Sequence, residues 1–472
     1  MKILLTGANG YIGKRLLPGL LSKGHEVYCC VRDRARFDIS SFPVGQVKVL
    51  EVDFLDLDQV RTIPADIDVA YYLIHSMSTT TNDFGEMEKT TARHFAEQMT
   101  RTSVSQVIYL SGIVNQEKLS KHLASRKAVE EILRTGDYHL TTLRAGIIIG
   151  SGSASFEIIR DLVEKLPVMV APRWLLTRSQ PIAVQNVLEF LLGVMKNDYT
   201  FDKAFDIGGP EILTYKEMLE KFARVRGLRR WIFIVPVMTP KLSSYWLYFI
   251  TSTSYKLAVN LVNSMKVEIV CEPNDLAQRL GIQPISCSEA ISMAFRQESE
   301  DDVVSSWIDA RSGATMQQGI GTLIRVPRHG CVTDVRTRHL KDVDKTWKRI
   351  FQIGGKNGWY YANWLWALRG FIDKLFGGVG LRRGRKSYQT LQPGETLDFW
   401  RVIDVNAEDK RLLLYAEMKL PGEAWLEYKI TGHTLTQTAT FRPLGLWGRL
   451  YWYGVYPLHV WIFSGMVNKL SA

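Results

Sequence analysis

The segment Thr6-Gly7-Ala8-Asn9-Gly10-Tyr11-Ile12-Gly13 constrains this chain more than any other. A short apolar run, Lys2–Leu5, precedes it, and a helix-like stretch, Gly13–Lys23, comes after it. Glycines at this spacing allow a tight turn and close backbone approach to a pyrophosphate, whose charge the helix N-terminus attracts. Gly7, Asn9, Gly10, Tyr11, Ile12 and Gly13 are therefore candidate dinucleotide contacts. A Gly-rich match alone also fits a turn with no ligand. The strand before it and the helix after it favour the nucleotide.

The chain beyond this loop keeps the same rhythm. Strands are expected at Glu26–Val31, Val47–Val52, Val69–Ile74, Val107–Leu110 and Leu140–Ile149, with helices at Asp83–Arg101 and His122–Thr135. Near-continuous apolar strands separated by helices mean a parallel sheet buried on both faces, a doubly wound α/β architecture. Residues 151–295 read as a mixed, substrate-side part, with helices at Ser155–Lys165, Val184–Lys196 and Tyr215–Val225. Residues 236–264 read as helices lining something apolar.

Composition excludes disorder and a small disulfide scaffold: of 472 residues 46% are hydrophobic and 23% charged. The charge is uneven. Residues 1–310 hold 35 Lys+Arg against 36 Asp+Glu, a net of −1, whereas 311–472 hold 24 against 12, a net of +12. Two domains are expected, 1–300 and 315–472, joined through the acidic run Glu298–Asp302, which reads as solvated linker. The second has another order: strands in Gly321–Val335, helices at Asp342–Phe351 and Trp359–Phe376, then Thr396–Val405, Arg411–Met418, Ala424–Ile430 and Thr434–Arg442. Hairpins are expected at Asn406–Lys410, Lys419–Gly422 and Gly432–His433. A C-terminal helix wrapped by this curved antiparallel sheet makes an α+β unit.

Five cysteines without a Cys-x-x-Cys pair argue against a disulfide framework or a metal site, and no signal-peptide core is present, so a reducing cytoplasm is expected. Leu450–Asn468 carries no Lys, Arg, Asp or Glu. A packed terminal helix is the favoured reading over a surface-lying or membrane-spanning one. The Gly377–Lys386 loop is basic and fits a phosphate or acidic headgroup, with a solvated loop as the preferred reading. Nucleic acid is not expected, because the Trp residues fall at core-facing spacings instead of along a basic stripe.

Arg32 follows the second strand directly. A guanidinium there suits a 2′-phosphate and favours NADP(H) over NAD(H), while Asp33 beside it keeps NAD(H) open. Asp53 follows the third strand, where a carboxylate can accept from the adenine amino group; a surface loop is the alternative. His75 and Ser76 end the fourth strand, where the nicotinamide side of such a crevice lies.

Together, the Gly-rich loop, Asp53, Leu73-Ile74-His75-Ser76, Leu110-Ser111-Gly112, Leu143–Gly150, Gln180–Val184 and Phe205–Glu211 resemble the short-chain dehydrogenase/reductase superfamily. The likeness covers about residues 1–295 and is closest to its atypical, NmrA-like and epimerase-like branches. The resemblance implies a Rossmann NAD(P)-binding domain and an active site built on Ser with Tyr-x-x-x-Lys. Ser111 stands at the expected strand end. No Tyr lies between Tyr109 and Tyr138. Related atypical members are similar in placing Lys four residues before a Glu such as Glu130; here that position is Arg126, so the resemblance puts His122 in the place of Tyr. A spacing of four puts both on one helical face. His122 can donate a proton near neutral pH, and Arg126 can hydrogen-bond a ribose or substrate. The competing reading is a helix that has lost its catalytic function.

Leu397–Val402, Glu417–Leu426 and Phe441–Arg449 resemble uncharacterised bacterial domains fused to atypical reductases, and the element order resembles the helix-grip fold of START- and Bet v 1-like proteins. That resemblance implies an apolar ligand between sheet and helix, against plain core packing of the aromatics. The function expected is an NAD(P)H-dependent oxidoreductase acting on a carbonyl, quinone or similar small apolar acceptor. The rivals are a non-catalytic NADP(H)-binding sensor or assembly factor, and a lipid- or isoprenoid-binding protein making peripheral membrane contact through the basic domain.

Overall fold

The computed structural model describes all residues except 33, 35–36, 38–41, 44, 75–83, 115–120, 236–264, 300–325, 327–330, 377, 381–390 and 472. The chain divides into two compact units between residues 310 and 311.

The first unit is built on seven parallel strands: β1 (Lys2–Leu5), β2 (Glu26–Val31), β3 (Val47–Glu51), β4 (Val69–Tyr72), β5 (Gln106–Gly112), β6 (His139–Ala145) and β7 (Lys203–Ile207). Their order across the sheet is β3-β2-β1-β4-β5-β6-β7. Helices cover both faces. Ile3 and Leu5 point one way, into a core with Leu16, Leu17 and Leu20 of α1 (Tyr11–Ser22) and Val187 and Leu191 of α5 (Val184–Gly193). Leu4 points the other way. It packs with Ala92, Phe95 and Met99 of α2 (Phe84–Thr100) and Val129 and Leu133 of α3 (Lys121–Leu133). This alternation, with apolar residues at helical spacing opposite each face, fixes the doubly wound layering. Each fully buried leucine of α1 contributes about 2 kcal/mol relative to exposure. A second core joins α4 (Ala154–Lys165), α6 (Tyr215–Val225) and α7 (Cys287–Ser299) through Phe156, Phe222 and Ile291.

The strand expected over Leu140–Ile149 stops at Ala145. Ile148–Ile149 pairs instead with Ile182–Ala183. Gly146 sits where the chain turns away: a Cβ there would lie 2.7 Å from the Gln180 carbonyl oxygen. The helices expected over 236–264 lie outside the described residues.

The second unit has a six-stranded antiparallel sheet: β8 (Val332–His339), β9 (Thr396–Leu397), β10 (Trp400–Asn406), β11 (Arg411–Ala416), β12 (Gly422–Thr431) and β13 (Thr434–Pro443), in the order β8-β13-β12-β11-β10-β9. Helices α8 (Val343–Phe351) and α9 (Asn363–Leu375) connect β8 to β9. The long helix α10 (Gly445–Ser471) buries Phe463, Met466, Val467 and Leu470 in the unit's core with Leu412, Leu426 and Leu435. The α+β expectation is thus met, with three corrections. Thr396–Val405 is two strands, because Asp398 adopts φ +55° and accepts a hydrogen bond from Trp359 Nε1 at 2.7 Å. The helix expected from Trp359 starts at Asn363, because Tyr360 and Ala362 take positive φ values of 60° and 51°. The strand expected within Gly321–Val335 runs from Val332 to His339, and most of residues 321–330 are outside the described set. Among the described residues, no helix is long and apolar enough to cross a membrane.

His459 of α10 is largely covered where it meets β8. Its ring stacks on Phe463 at 3.9 Å between centroids, and its Nδ1 lies 3.2 Å from Asp334 Oδ2. Asp334 accepts from Arg336 Nε at 3.0 Å and Nη2 at 2.9 Å. Burial dominates over the Asp334 charge and pulls the imidazole down to about 4, with Arg336 adding to the shift. The unfolded chain, with an ordinary histidine near pH 6.5, takes up the proton first. This unit is therefore expected to lose stability as pH falls from about 6.5 towards 4, and to lose no more from this group below that. Urea midpoints for the wild type and His459→Phe across that range check it; parallel pH profiles would refute it.

Candidate functional site

The glycine loop leaves β1 at the point where the strand order reverses. β2 lies on one side of β1 and β4 on the other. In an open parallel sheet, this switch point opens a crevice beyond the carboxyl ends of the strands. The Thr6 hydroxyl pins the crevice floor. It donates to the Tyr71 carbonyl at 3.0 Å and accepts from the Leu73 amide at 3.0 Å.

Two glycines of the loop have a steric reason. Gly7 has φ +63°, and a Cβ there would meet the Leu73 carbonyl oxygen at 2.8 Å. A Cβ on Gly13 would lie 2.3 Å from the Gly7 carbonyl oxygen, so the helix could not pack onto the turn. Gly10 is the N-cap of α1, with extended backbone and no side-chain cap. The amides of a helix's first turn have no intrahelical acceptor. Here no side chain caps them. A turn with no room for a Cβ at Gly7 or Gly13, ending on a helix that no side chain caps, fits a pyrophosphate. Tyr11 turns away from it. Its ring stacks under Arg15, whose guanidinium carbon is 4.0 Å from the ring centroid, and burial raises the phenol to about 12. Arg15 Nη2 also donates to the Ser151 carbonyl at 2.8 Å. The Tyr11 side chain thus packs with Arg15.

Arg32 is exposed directly after β2. Asp53 is partly buried after β3 and caps its own turn: Oδ1 accepts from the Leu55 amide at 3.0 Å. His75 lies outside the described residues, as do the side chains of Lys121, His122 and Leu123. The backbone puts His122 in the first turn of α3.

Ser111 and Arg126 are brought together. Ser111 ends β5 at the same edge of the sheet as the glycine loop, 4% exposed. Its Oγ is buried beside the Tyr109 phenol and closes no hydrogen bond of ordinary geometry. Arg126 reaches from α3 to donate through Nη1 to the Leu110 carbonyl at 3.1 Å, one residue before Ser111. The Tyr109 hydroxyl donates to the Arg126 carbonyl at 3.4 Å, and burial pushes this phenol upward, so it stays neutral.

Sequence reasoning missed this cluster's second layer. Ser125 donates to Glu88 Oε2 of α2, tying α3 to α2 beside Arg126. The period-two alternation of β5 does place Tyr109 on the Ser111 face. Nothing local marks Glu88. Glu130, four residues after Arg126, turns out to be structural: it receives Arg144 Nε at 3.1 Å and Nη2 at 2.8 Å and also Arg134. The five cysteines are free thiols, and among the described residues no cluster of His, Cys, Asp or Glu could hold a metal.

Residues 7–164 match the family described as NAD(P)H-binding. The first unit has a Rossmann-like fold. Residues 329–466 of the second unit match a family described as a protein of unknown function, DUF2867. The Rossmann unit resembles the triphenylmethane reductase of Citrobacter sp., with TM-score 0.53 and 14% identity over 63% of this chain and 100% of that one. It also resembles a nucleoside-diphosphate-sugar epimerase from Staphylococcus aureus, with TM-score 0.50 and 15% identity over 62% of this chain and 100% of that one. At such identities the likeness is one of fold. Among curated proteins, the chloroplastic divinyl chlorophyllide a 8-vinyl-reductase of Zea mays is 22% identical over 50% of this chain, which spans 62% of that protein's length. The photosystem II assembly factor Ycf39 of Guillardia theta is 20% identical over 60% of this chain and 90% of its own length.

Proposed function

We propose that the Rossmann unit is an NADP(H)-dependent oxidoreductase for a small apolar acceptor such as a carbonyl or quinone. The observation that carries this is Ser111 Oγ: a buried hydroxyl with no ordinary hydrogen bond, at the sheet edge that also holds the glycine cradle. A substrate oxygen placed there would accept from that hydroxyl.

The first-turn amides of α1, those of Ile12 and Gly13 among them, would hold the pyrophosphate, while the Gly10 amide closes the turn onto the Gly7 carbonyl at 2.8 Å. Asp53 would face the adenine, and Arg32 would pair with a 2′-phosphate, bidentately if it lies in plane. Bound nicotinamide supplies or accepts the hydride. Ser111 would donate to the substrate oxygen as charge develops on it, and His122 would deliver the proton. Arg126 is a positioning residue in this reading: by gripping the Leu110 carbonyl it holds the end of β5, and hence Ser111, in place. The maize reductase likeness supports redox chemistry, and the strand order β8-β13-β12-β11-β10-β9 around α10 supports the helix-grip reading of the second unit.

A second reading keeps the nucleotide and removes the chemistry. The missing Tyr-x-x-x-Lys and the likeness to an assembly factor favour it. Turnover of NADPH against a panel of quinones and carbonyls separates the two. Ser111→Ala is expected to lower kcat about 100-fold with nucleotide affinity unchanged, the size of loss seen when one donor to a developing oxyanion is removed. Tight binding with no turnover on any acceptor would sink the enzymatic reading and leave the binding one.

A further inference from the structure

The second unit leaves an unusual amount of aromatic surface in water. On α9, Trp364, Phe371 and Phe376 at its C-cap face outward; on α10, Trp447, Tyr453 and Trp461 do. Phe376 is 72% exposed, Tyr453 70% and Trp447 78%. Side chains of the two helices meet. Tyr361 meets Trp461 at 5.3 Å and Trp366 meets Phe463 at 6.0 Å between centroids, while Arg369 sits beside the Tyr451 hydroxyl further along. At 150–250 Å² per aromatic side chain, the six expose on the order of 700 Å². The largest apolar patch on a monomeric soluble protein is commonly about 300–600 Å².

The burial along α10 shows the asymmetry. Its C-terminal half is gripped by the core through Phe463, Met466, Val467 and Leu470. Its N-terminal half is anchored mainly by Trp452, which stacks on Phe441 with ring planes 11° apart. Around that anchor the exposed positions are Trp447, Leu450, Tyr453, Tyr456 and Leu458, with Arg449, Gly454 and Pro457 between them. A solvent-facing helix would carry Glu and Lys there.

Charge selects the occupant. The unit carries 24 Lys+Arg against 12 Asp+Glu, a net of +12. Asp373 is the one acid in the sequence of the two helices, and it is 1% exposed. It is spent on the backbone, accepting from the Lys419 amide at 2.7 Å and the Gly380 amide at 2.8 Å. No carboxylate on either helix therefore opposes an anionic surface. A second copy would bring another +12 unit against the first. Tyr and Trp are the side chains that settle at a bilayer's polar boundary, and no described helix can cross it.

We propose that the exposed face of α9 and α10 docks on the surface of an anionic lipid bilayer, lying in the headgroup boundary without spanning it. Basic residues near such a surface attract at about 1 kcal/mol each, and the aromatic rings supply the apolar contact. This is independent of the nucleotide chemistry of the first unit.

The test is co-sedimentation of the full chain with phosphatidylcholine vesicles, with and without phosphatidylglycerol. The wild type should bind the anionic vesicles at least about tenfold more tightly, and salt should weaken that binding. Phe376→Glu with Trp447→Glu, both at exposed positions, should cut binding about tenfold or more while NADPH affinity stays unchanged. Light scattering without lipid provides the other arm. Failure of the wild type to bind anionic vesicles, equal binding to neutral ones, or a lipid-free dimer that the double variant converts to monomer would overturn the proposal. The last result would assign the face to a second copy.

Discussion

Replacing Gly10 by Asp should weaken nicotinamide nucleotide binding by about 100-fold or more, roughly 2.7 kcal/mol, in a protein that remains folded. Gly10 has φ −78° and ψ 174°, extended backbone open to any residue, so strain is not the mechanism. A Cβ there meets the Gly7 carbonyl oxygen at 3.0 Å, a contact that a small shift relieves. Aspartate is among the best N-cap residues, because its carboxylate accepts from the amides of the first helical turn. In this position it would occupy the same amides the pyrophosphate needs and set a like charge against it. Helix α1 should gain up to about 1 kcal/mol from the new cap while the ligand is shut out. Fluorescence titration with NADPH gives the affinity, and thermal unfolding followed by circular dichroism gives the stability. Unchanged affinity in a folded Gly10→Asp protein would mean that the nucleotide does not sit on α1.

The sheet of the Rossmann unit was legible because its causes are local or periodic. Gly7 needs positive φ, Gly13 needs contact with the turn, and the strands are continuous apolar runs between helices. The Gly432–His433 hairpin was legible for the same reason: Gly432 has φ +54°, and Thr431 pairs with Thr434 across it. What escaped was set by tertiary contact. The break at Asp398 depends on the indole of Trp359, 39 residues away in sequence. The late start of α9 depends on a loop whose Tyr360 hydroxyl donates to the Arg349 carbonyl at 3.1 Å. No window of a few residues contains either partner.

The site divides along the same line. Ser111 was found because a strand end is a position, and positions follow from the pattern. Arg126 was found from its spacing to Glu130, yet the structure gives the two different work: Arg126 holds the Leu110 carbonyl and Glu130 holds Arg144. A spacing of four states that two side chains share a helical face. It does not state what each meets there, which depends on β5 and β6 beneath the helix. Glu88 escaped because its partner, Ser125, comes from another helix altogether.

The second large effect concerns the basic unit's interior. Arg401 on β10 is 1% exposed. Its Nε and Nη2 donate to Glu417 Oε1 at 2.9 and 2.7 Å, and its Nη1 donates to the Gly394 carbonyl at 2.7 Å. A guanidinium this deep is tolerated because a carboxylate faces it. Glu417→Ala removes that partner and leaves the charge behind, at a cost of about 3–5 kcal/mol. Amides of β10 and β11 should then exchange with solvent at least about 100-fold faster, since their protection reports opening of this unit. Glu417→Gln keeps an acceptor for the guanidinium and should lose less. Removing both charges, in Arg401→Met with Glu417→Leu, should recover most of the protection, because the desolvation of two ions offsets most of what their attraction supplies. If the double variant is as unprotected as Glu417→Ala, the pair contributes packing and backbone support that apolar side chains do not replace, and the charge argument fails.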